Sequence, residues 1–382
     1  MKKQVRMAQA SDLDAIRHLW DYAFHDGETF ERWYFENYFS LNECFVATVD
    51  GTVAASLQVI ELETCTKTDV IKTGYIVGVD TFPEFRGMGL TAMLLQEVIN
   101  VYAPQKGLKL LQLMPFEAGF YKPYGFVFSD YHANMKLPLE EFYSATSKTM
   151  AQSYHWKRVD CSNARNYFET LESVYNKAAA SYDCYVARKT ERRWRAVLDD
   201  IAMEDGQLML LFDENENACG YIVYCFKDDA LFVREAVSVD KKARAALYYF
   251  IAAHRSQVSF VQWSAPEKED VVFGRAKDKT SVQYYPFMMS LVIDPSVVAS
   301  FAAFLPEENC TFSVEGCGSY NWQKDTRNII KISDTSRSAA LSRAQLTALV
   351  FDRAGYDAED EDIQNLADLF RYKSAAFNNE YF

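Results

Sequence analysis

The chain has 382 residues, 49% of them hydrophobic, so it is too long for one ordinary core and apolar enough for two or three. Forty Lys and Arg against 53 Asp and Glu give a net charge of -13, which argues against duplex nucleic acid or an anionic membrane surface as partner and suits a cationic small molecule. The 8 cysteines form no C-x-x-C pair and have no His at zinc spacing, so they read as reduced core residues and no metal is expected.

The N-terminus, MKKQVRMAQASDLD, has no apolar stretch behind its lysines, and no segment approaches the ~20 apolar residues of a membrane span, so a cytoplasmic protein is expected. Ser11 and Asp14 form an S-x-x-D capping signal before Ile16, Leu19, Trp20 and Ala23, which recur at helical spacing. Cys44 to Ile60 is two apolar runs around Asp50-Gly51, and that pair predicts a hairpin because a type I′ turn needs positive φ at both central positions. The β-branched run Tyr75 to Thr81 predicts a buried strand, and Met93, Leu94, Val98 and Val101 predict a helix over Ala92 to Tyr102. A strand is expected over Leu108 to Phe116, then a short helical piece ending in KPYGFVFSD.

Between the Tyr75 strand and its following helix lie Pro83, Arg86, Gly87 and Gly89. A helix N-terminus offers unpaired N–H groups and a positive dipole end, and glycines let an anion approach that backbone closely. Neither the Gly-Lys-Ser/Thr ending of a Walker loop nor G-x-G-x-x-G is present. The spacing Val79, Thr81, Pro83, Phe85, Arg86, Gly87, Gly89, Leu90 resembles the acetyl-CoA loop of GNAT N-acetyltransferases, with Thr91 departing from the small residue that closes that pattern.

Farther on, Gln207 to Phe226 reads as a hairpin around DENEN, and Ala236 to His254 as a strand entering a helix, with Ala243, Arg244 and Ala245 where glycines would be needed. The plan of the first segment is thus repeated without its chemistry. In the last hundred residues FMMSLVID, TFSVEG and NIIKIS read as strands, LSRAQLTALVFDRAG as a helix with Gly355 beyond its end, and EDIQNLADLF as another helix. Together with GVDTFPEFRGMG, MPFEAGFYKPYGF and the terminal NEYF, these features resemble the Eis (enhanced intracellular survival) family of acetyltransferases. The resemblance implies an α/β (α+β) protein: a GNAT domain over 1–147, a GNAT-like domain without a cofactor loop over 148–286, and a sterol-carrier-protein-like domain over 287–382.

By the same resemblance, the backbone of Val79, Asp80 and Thr81 pairs with the pantetheine arm, while Arg86, Gly87, Met88, Gly89, Leu90, Thr91 and Ala92 hold the pyrophosphate. Phe116 and Glu117 match further cofactor contacts, and Tyr121 matches the proton donor. The base is implied to be the main-chain carboxylate of Phe382. Phe24 and Asp26 resemble acceptor-pocket positions, extended by Trp33, Tyr34 and Phe35. The implied reaction is acetyl transfer from acetyl-CoA to an amine of a small polycation, aminoglycoside-like or polyamine-like, in a hexamer built as a trimer of dimers. Two other readings compete: a carrier or sensor that holds acyl-CoA or lipid without turnover, and a lysine acetyltransferase acting on proteins.

Overall fold

The computed structural model describes residues 1–144, 153–266, 281–301, 309–326, 328–333, 339–351 and 376–377. They fall into two units, one built from Met1–Asp130 with the described residues from Pro286 to Phe351, the other from the described residues of Tyr131–Tyr285 with Ala376 and Phe377.

The first unit begins with a strand that the sequence pattern does not advertise, β1 (Lys3–Met7), antiparallel to β2 (Cys44–Val49). It alters the start of α1 (Leu13–Phe24): Arg6 on β1 binds Asp12 at 2.6 Å, and Asp12 accepts from the Gln9 N–H at 2.7 Å. The N-terminal cap therefore centres on Asp12 rather than on the expected Ser11 and Asp14, because Arg6 fixes that carboxylate in place. After α2 (Glu28–Asn37), β2 turns into β3 (Thr52–Thr66) through Asp50 and Gly51 at φ 48° and 90°, as the Asp-Gly pair predicts. Then follow β4 (Val70–Thr81), α3 (Leu90–Glu97), α4 (Ala103–Lys106), β5 (Leu110–Leu113) and α5 (Ala118–Tyr121).

The strands lie in the order β1-β2-β3-β4-β5, antiparallel throughout except for the parallel β4–β5 pair, and Met289–Val292 completes the sheet antiparallel to β5. CFVATV of β2 is buried at every position because both faces are covered. Phe45, Ala47 and Val49 pack with Leu94, Leu95 and Val98 beyond one face, and Cys44 and Val46 with Ile16 of α1 beyond the other. A single π turn, Val98–Tyr102, joins α3 to α4. It rotates the apolar stripe, so Val101 faces solvent and Leu95 and Ile99 are buried instead.

The second unit repeats this plan. It contains β6 (Val127–Pro138, from Tyr131 on), α6 (Leu139–Ser144), β7 (His155–Asp160), α7 (Phe168–Ala179), β8 (Cys184–Val186), α8 (Glu191–Ala202), β9 (Gln207–Phe212), β10 (Ala218–Lys227), β11 (Ala230–Ser238), α9 (Lys241–Ala253) and β12 (Phe260–Pro266). The order is β7-β9-β10-β11-β12 with a parallel β11–β12 pair, and residues 132–138 complete it antiparallel to β12. In the DENEN turn the Asp213 carboxylate accepts from the N–H groups of Asn215 and Asn217 at 2.9 and 2.8 Å.

The first sheet thus takes its last strand, residues 289–292, from a segment far along the chain from its other strands, whereas the second takes its own from residues 132–138 at the start of its unit. Four further strands form a separate sheet in the first unit, β13 (Cys310–Val314), β14 (Gly318–Gln323), β15 (Asn328–Ile332) and β16 (Ala339–Leu341), followed by a helix over Arg343–Phe351, while Ala376–Phe377 pairs parallel to β8. Gly355, EDIQNLADLF and the terminal NEYF with Phe382 lie outside the described residues.

Candidate active site

The parallel pairing of β4 with β5 covers only Thr73–Ile76 against Leu110–Leu113. Residues 77–81 of β4 have no β5 partner, which leaves a row of backbone N–H and C=O groups along one edge. A bulge accompanies the separation: Gln58 faces Val77 and Ser56 faces Asp80, so Gly78 and Val79 together oppose Leu57 alone. Gly78 has φ 59°, and a Cβ there would lie 2.6 Å from the Trp20 ring, so only glycine fits. Asp80 is buried, and its Oδ1 accepts from the Ser56 N–H at 3.0 Å and from the Ser56 hydroxyl at 2.6 Å.

The chain then turns over Pro83–Phe85 into α3. Gly87 and Gly89 have φ 76° and 75°, and no atom lies within 4 Å of where either Cβ would stand. Gly89 is the N-cap of α3, no side chain caps it, and no acidic residue sits in the first turn, so the N–H groups there are free to meet an anion. The Thr81 and Thr91 hydroxyls bond to each other at 2.9 Å, tying the end of β4 to the start of α3. Arg86 Nε donates to the Thr81 carbonyl at 3.3 Å, and Lys3 Nζ donates to the Met88 carbonyl at 2.6 Å. Lys3 adds a positive charge beside the loop that no spacing in the sequence reveals.

These elements border a cavity of about 770 Å³. Of the residues expected to hold cofactor, Val79, Asp80, Thr81, Arg86, Gly87, Gly89, Leu90, Thr91, Ala92 and Phe116 line it. Met88, half-buried, packs against the core and Glu117 is the N-cap of α5, and neither is on the lining. Phe85, a position of the loop spacing, also lines it, as do Phe120 and Tyr124, which were not singled out from sequence. Phe116, Phe120 and Tyr124 recur four residues apart, and that periodicity is the signal that finds them.

Tyr121 is buried against Phe120, Phe116 and Phe126, with ring centroids at 5.1, 5.9 and 6.1 Å. Burial pushes its phenol above the ordinary tyrosine value, and among the described residues its hydroxyl has no hydrogen-bond partner. Of the expected acceptor residues, Phe24 lines the cavity, while Asp26 and Trp33 do not. Asp26 accepts from Trp20 Nε1 at 3.2 Å, and Trp20 stacks on Tyr34 at 4.4 Å. Partial burial raises the Asp26 carboxyl, the Trp20 hydrogen bond opposing it.

Burial also pushes the Asp80 carboxyl up from 3.8 to about 8. The neutral acid is favoured by folding, so this group's contribution to stability is whole below pH ~4 and is lost as pH rises towards 8. Asp80→Asn removes that titration. Denaturant melts should show the variant gaining on the order of a few kcal/mol over wild type at pH 7.5 and nothing at pH 4; equal stability at both would contradict the assignment.

The second unit carries the same framework with different ends. There β11 pairs with β12 through Ala230–Val233 only, and Arg234 is the extra residue of a bulge. Glu235, next to it, is buried and bound by Arg188 and by the Tyr221 hydroxyl, each at 2.9 Å. The N-terminus of α9 is capped by Asp240, whose carboxylate accepts from the N–H groups of Lys242 and Ala243 at 2.8 Å. A carboxylate of the chain itself therefore occupies the place that stands uncapped at α3.

Among the described residues no group of three or more His, Cys, Asp or Glu could hold a metal ion, and no helix is long and apolar enough to cross a membrane. All 8 cysteines are free thiols, most of them buried.

An open β4 edge, a bulge and a glycine-led helix start define the acyl-CoA site of an acetyltransferase, and residues 4–128 match the acetyltransferase (GNAT) domain family. Residues 185–291 match a second acetyltransferase (GNAT) domain family. The chain is an N-acetyltransferase with two GNAT domains in tandem, and the fold implies acetyl-CoA as acyl donor. No curated protein matches it in sequence. Among solved structures it resembles, over 100% of both chains, a conserved protein of unknown function from Enterococcus faecalis V583 (18% identity, TM-score 0.83). It resembles likewise a GCN5-related N-acetyltransferase from Anabaena variabilis (15%, 0.83) over 100% of both chains. Eis1 from Mycobacterium abscessus, again covered over 100% of both chains, is similar at 13% identity and TM-score 0.71.

Proposed function

We propose that the first unit transfers acetyl groups to the amines of a small polycation, aminoglycoside-like or polyamine-like, and that the chain is an Eis-type enzyme. The observation that carries this reading is the unpaired edge at residues 77–81 leading into the uncapped start of α3, with Tyr121 packed against Phe116 and Phe120 of the cavity lining. An extended ligand bearing amides can add to that edge like a further strand, and a diphosphate suits the free N–H groups and Arg86. Acetyl-CoA supplies a thioester carbonyl open to attack by a neutral amine and a thiolate leaving group. Tyr121, kept protonated by burial, donates the proton that the leaving sulfur takes up, and the proton that the attacking amine sheds passes to water, from which Tyr121 is reprotonated. The net charge of -13 favours a cationic acceptor.

Asp240 supports assigning the donor to the first unit alone, since a diphosphate at α9 would have to displace a carboxylate already bonded to two N–H groups. A thiol-release assay with acetyl-CoA against aminoglycosides, polyamines and lysine peptides tests the acceptor class. Turnover is expected with the polyamines or aminoglycosides. Turnover confined to lysine peptides, or acetyl-CoA binding with no acceptor-dependent release, would overturn it.

A further inference from the structure

We infer that the Asp80 side chain is a positioning residue for acyl-CoA: its carboxyl holds the β4 bulge in shape and thereby sets the open edge against which the donor lies. The inference rests on the donor-site reading above and extends it from the backbone of Asp80 to its side chain.

At a bulge one strand carries an extra residue and the ladder of backbone bonds is interrupted. Here the interruption falls between Ser56 and Gln58, and the Ser56 N–H donates to a side chain instead, Asp80 Oδ1 at 3.0 Å. The Ser56 hydroxyl donates to the same oxygen at 2.6 Å. One carboxyl oxygen thus repairs the ladder at the place where β4 leaves β5. Its position matters because Val79, Asp80 and Thr81 all line the cavity.

Asp80 is held in apolar surroundings near Cys44, and among the described residues its second oxygen, Oδ2, has no hydrogen-bond partner. No lysine or arginine pairs with it among the described residues, unlike Asp12, which Arg6 neutralises. A purely structural site would do as well with an apolar pair across the strands, which leaves no buried polar atom unsatisfied. A carboxyl group here is explained by the bond it makes at the bulge. The oxygen that accepts both bonds is what the role requires, and an amide supplies the same oxygen.

Acetyl-CoA affinity and steady-state kinetics on Asp80→Asn, Asp80→Ala and Ser56→Ala, with thermal melts as control, test this. Asp80→Asn should keep KM for acetyl-CoA within about twofold of wild type. Asp80→Ala should raise KM and the CoA dissociation constant about tenfold with kcat changed less than threefold, because the edge is misplaced while Tyr121 is untouched. If Asp80→Ala does not fold, Ser56→Ala, which removes one of the two bonds, should raise KM about threefold. An unchanged KM in the folded variants, or an Asn variant as weak as Ala, would overturn the inference. Wild-type protein that neither binds coenzyme A nor releases thiol would instead sink the donor-site reading, so the two failures are distinguishable.

Discussion

Replacing Tyr121 with Phe is expected to lower kcat more than tenfold while coenzyme A affinity and melting temperature stay close to wild type. The ring sits among Phe116, Phe120 and Phe126, and a phenylalanine fills the same space. Among the described residues the hydroxyl makes no hydrogen bond, so its removal breaks nothing inside the fold. What is lost is a proton. A positioned general acid contributes roughly 10²–10⁴ in rate, about 3–5 kcal/mol of barrier, and burial keeps this phenol protonated across the physiological range. Single-turnover and steady-state rates on the variant, beside a coenzyme A titration, check it. A variant with wild-type kcat would remove Tyr121 from the chemistry.

Gly78→Ala is expected to have the largest effect on stability. The residue has φ 59°, a conformation that costs a residue with a Cβ roughly 1–2 kcal/mol. The added methyl would also stand 2.6 Å from the Trp20 ring, which is stacked on Tyr34 and hydrogen-bonded to Asp26 and so cannot easily yield. Overpacking of this kind adds about 1–3 kcal/mol. The sum, about 2–5 kcal/mol, corresponds to a drop of roughly 5–15 °C in Tm for units of this size. Trp20→Leu in the same chain should recover the overpacking part and leave the strain. A Gly78→Ala protein that melts with wild type would show that the bulge is not locked against α1.

The features that the sequence made legible are those whose cause is local. Asp50-Gly51 dictates its own turn, and Gly87 and Gly89 announce a helix start that no side chain caps. The single Gly78 inside a β-branched run was also a visible mark, since a lone glycine in a strand often signals a bulge. Its meaning depended on Trp20, nearly sixty residues away, and so could not be read. Lys3 reaches Met88, and Arg6 recruits Asp12, through a strand whose residues carry no alternation. Within the expected buried strand, the bond of the Asp80 carboxyl to Ser56 was likewise invisible, because it depends on the register of the partner strand. Phe120 and Tyr124 were within reach of the four-residue spacing with Phe116 that the Tyr121 motif overshadowed.

The distant origin of the first sheet's last strand has a consequence for how the protein can be made. When the ribosome has delivered the first 130 residues, five strands of the leading sheet exist and β5 still has a bare flank, to be covered only by residues 289–292. The nascent chain must carry that exposed edge through some 160 further residues of synthesis, at a cost in aggregation risk that a simple tandem array would not bear. Cutting the gene between its two acetyltransferase modules would leave the first product without its neighbour strand. The enzyme is therefore two domains in architecture and a single heritable unit in folding.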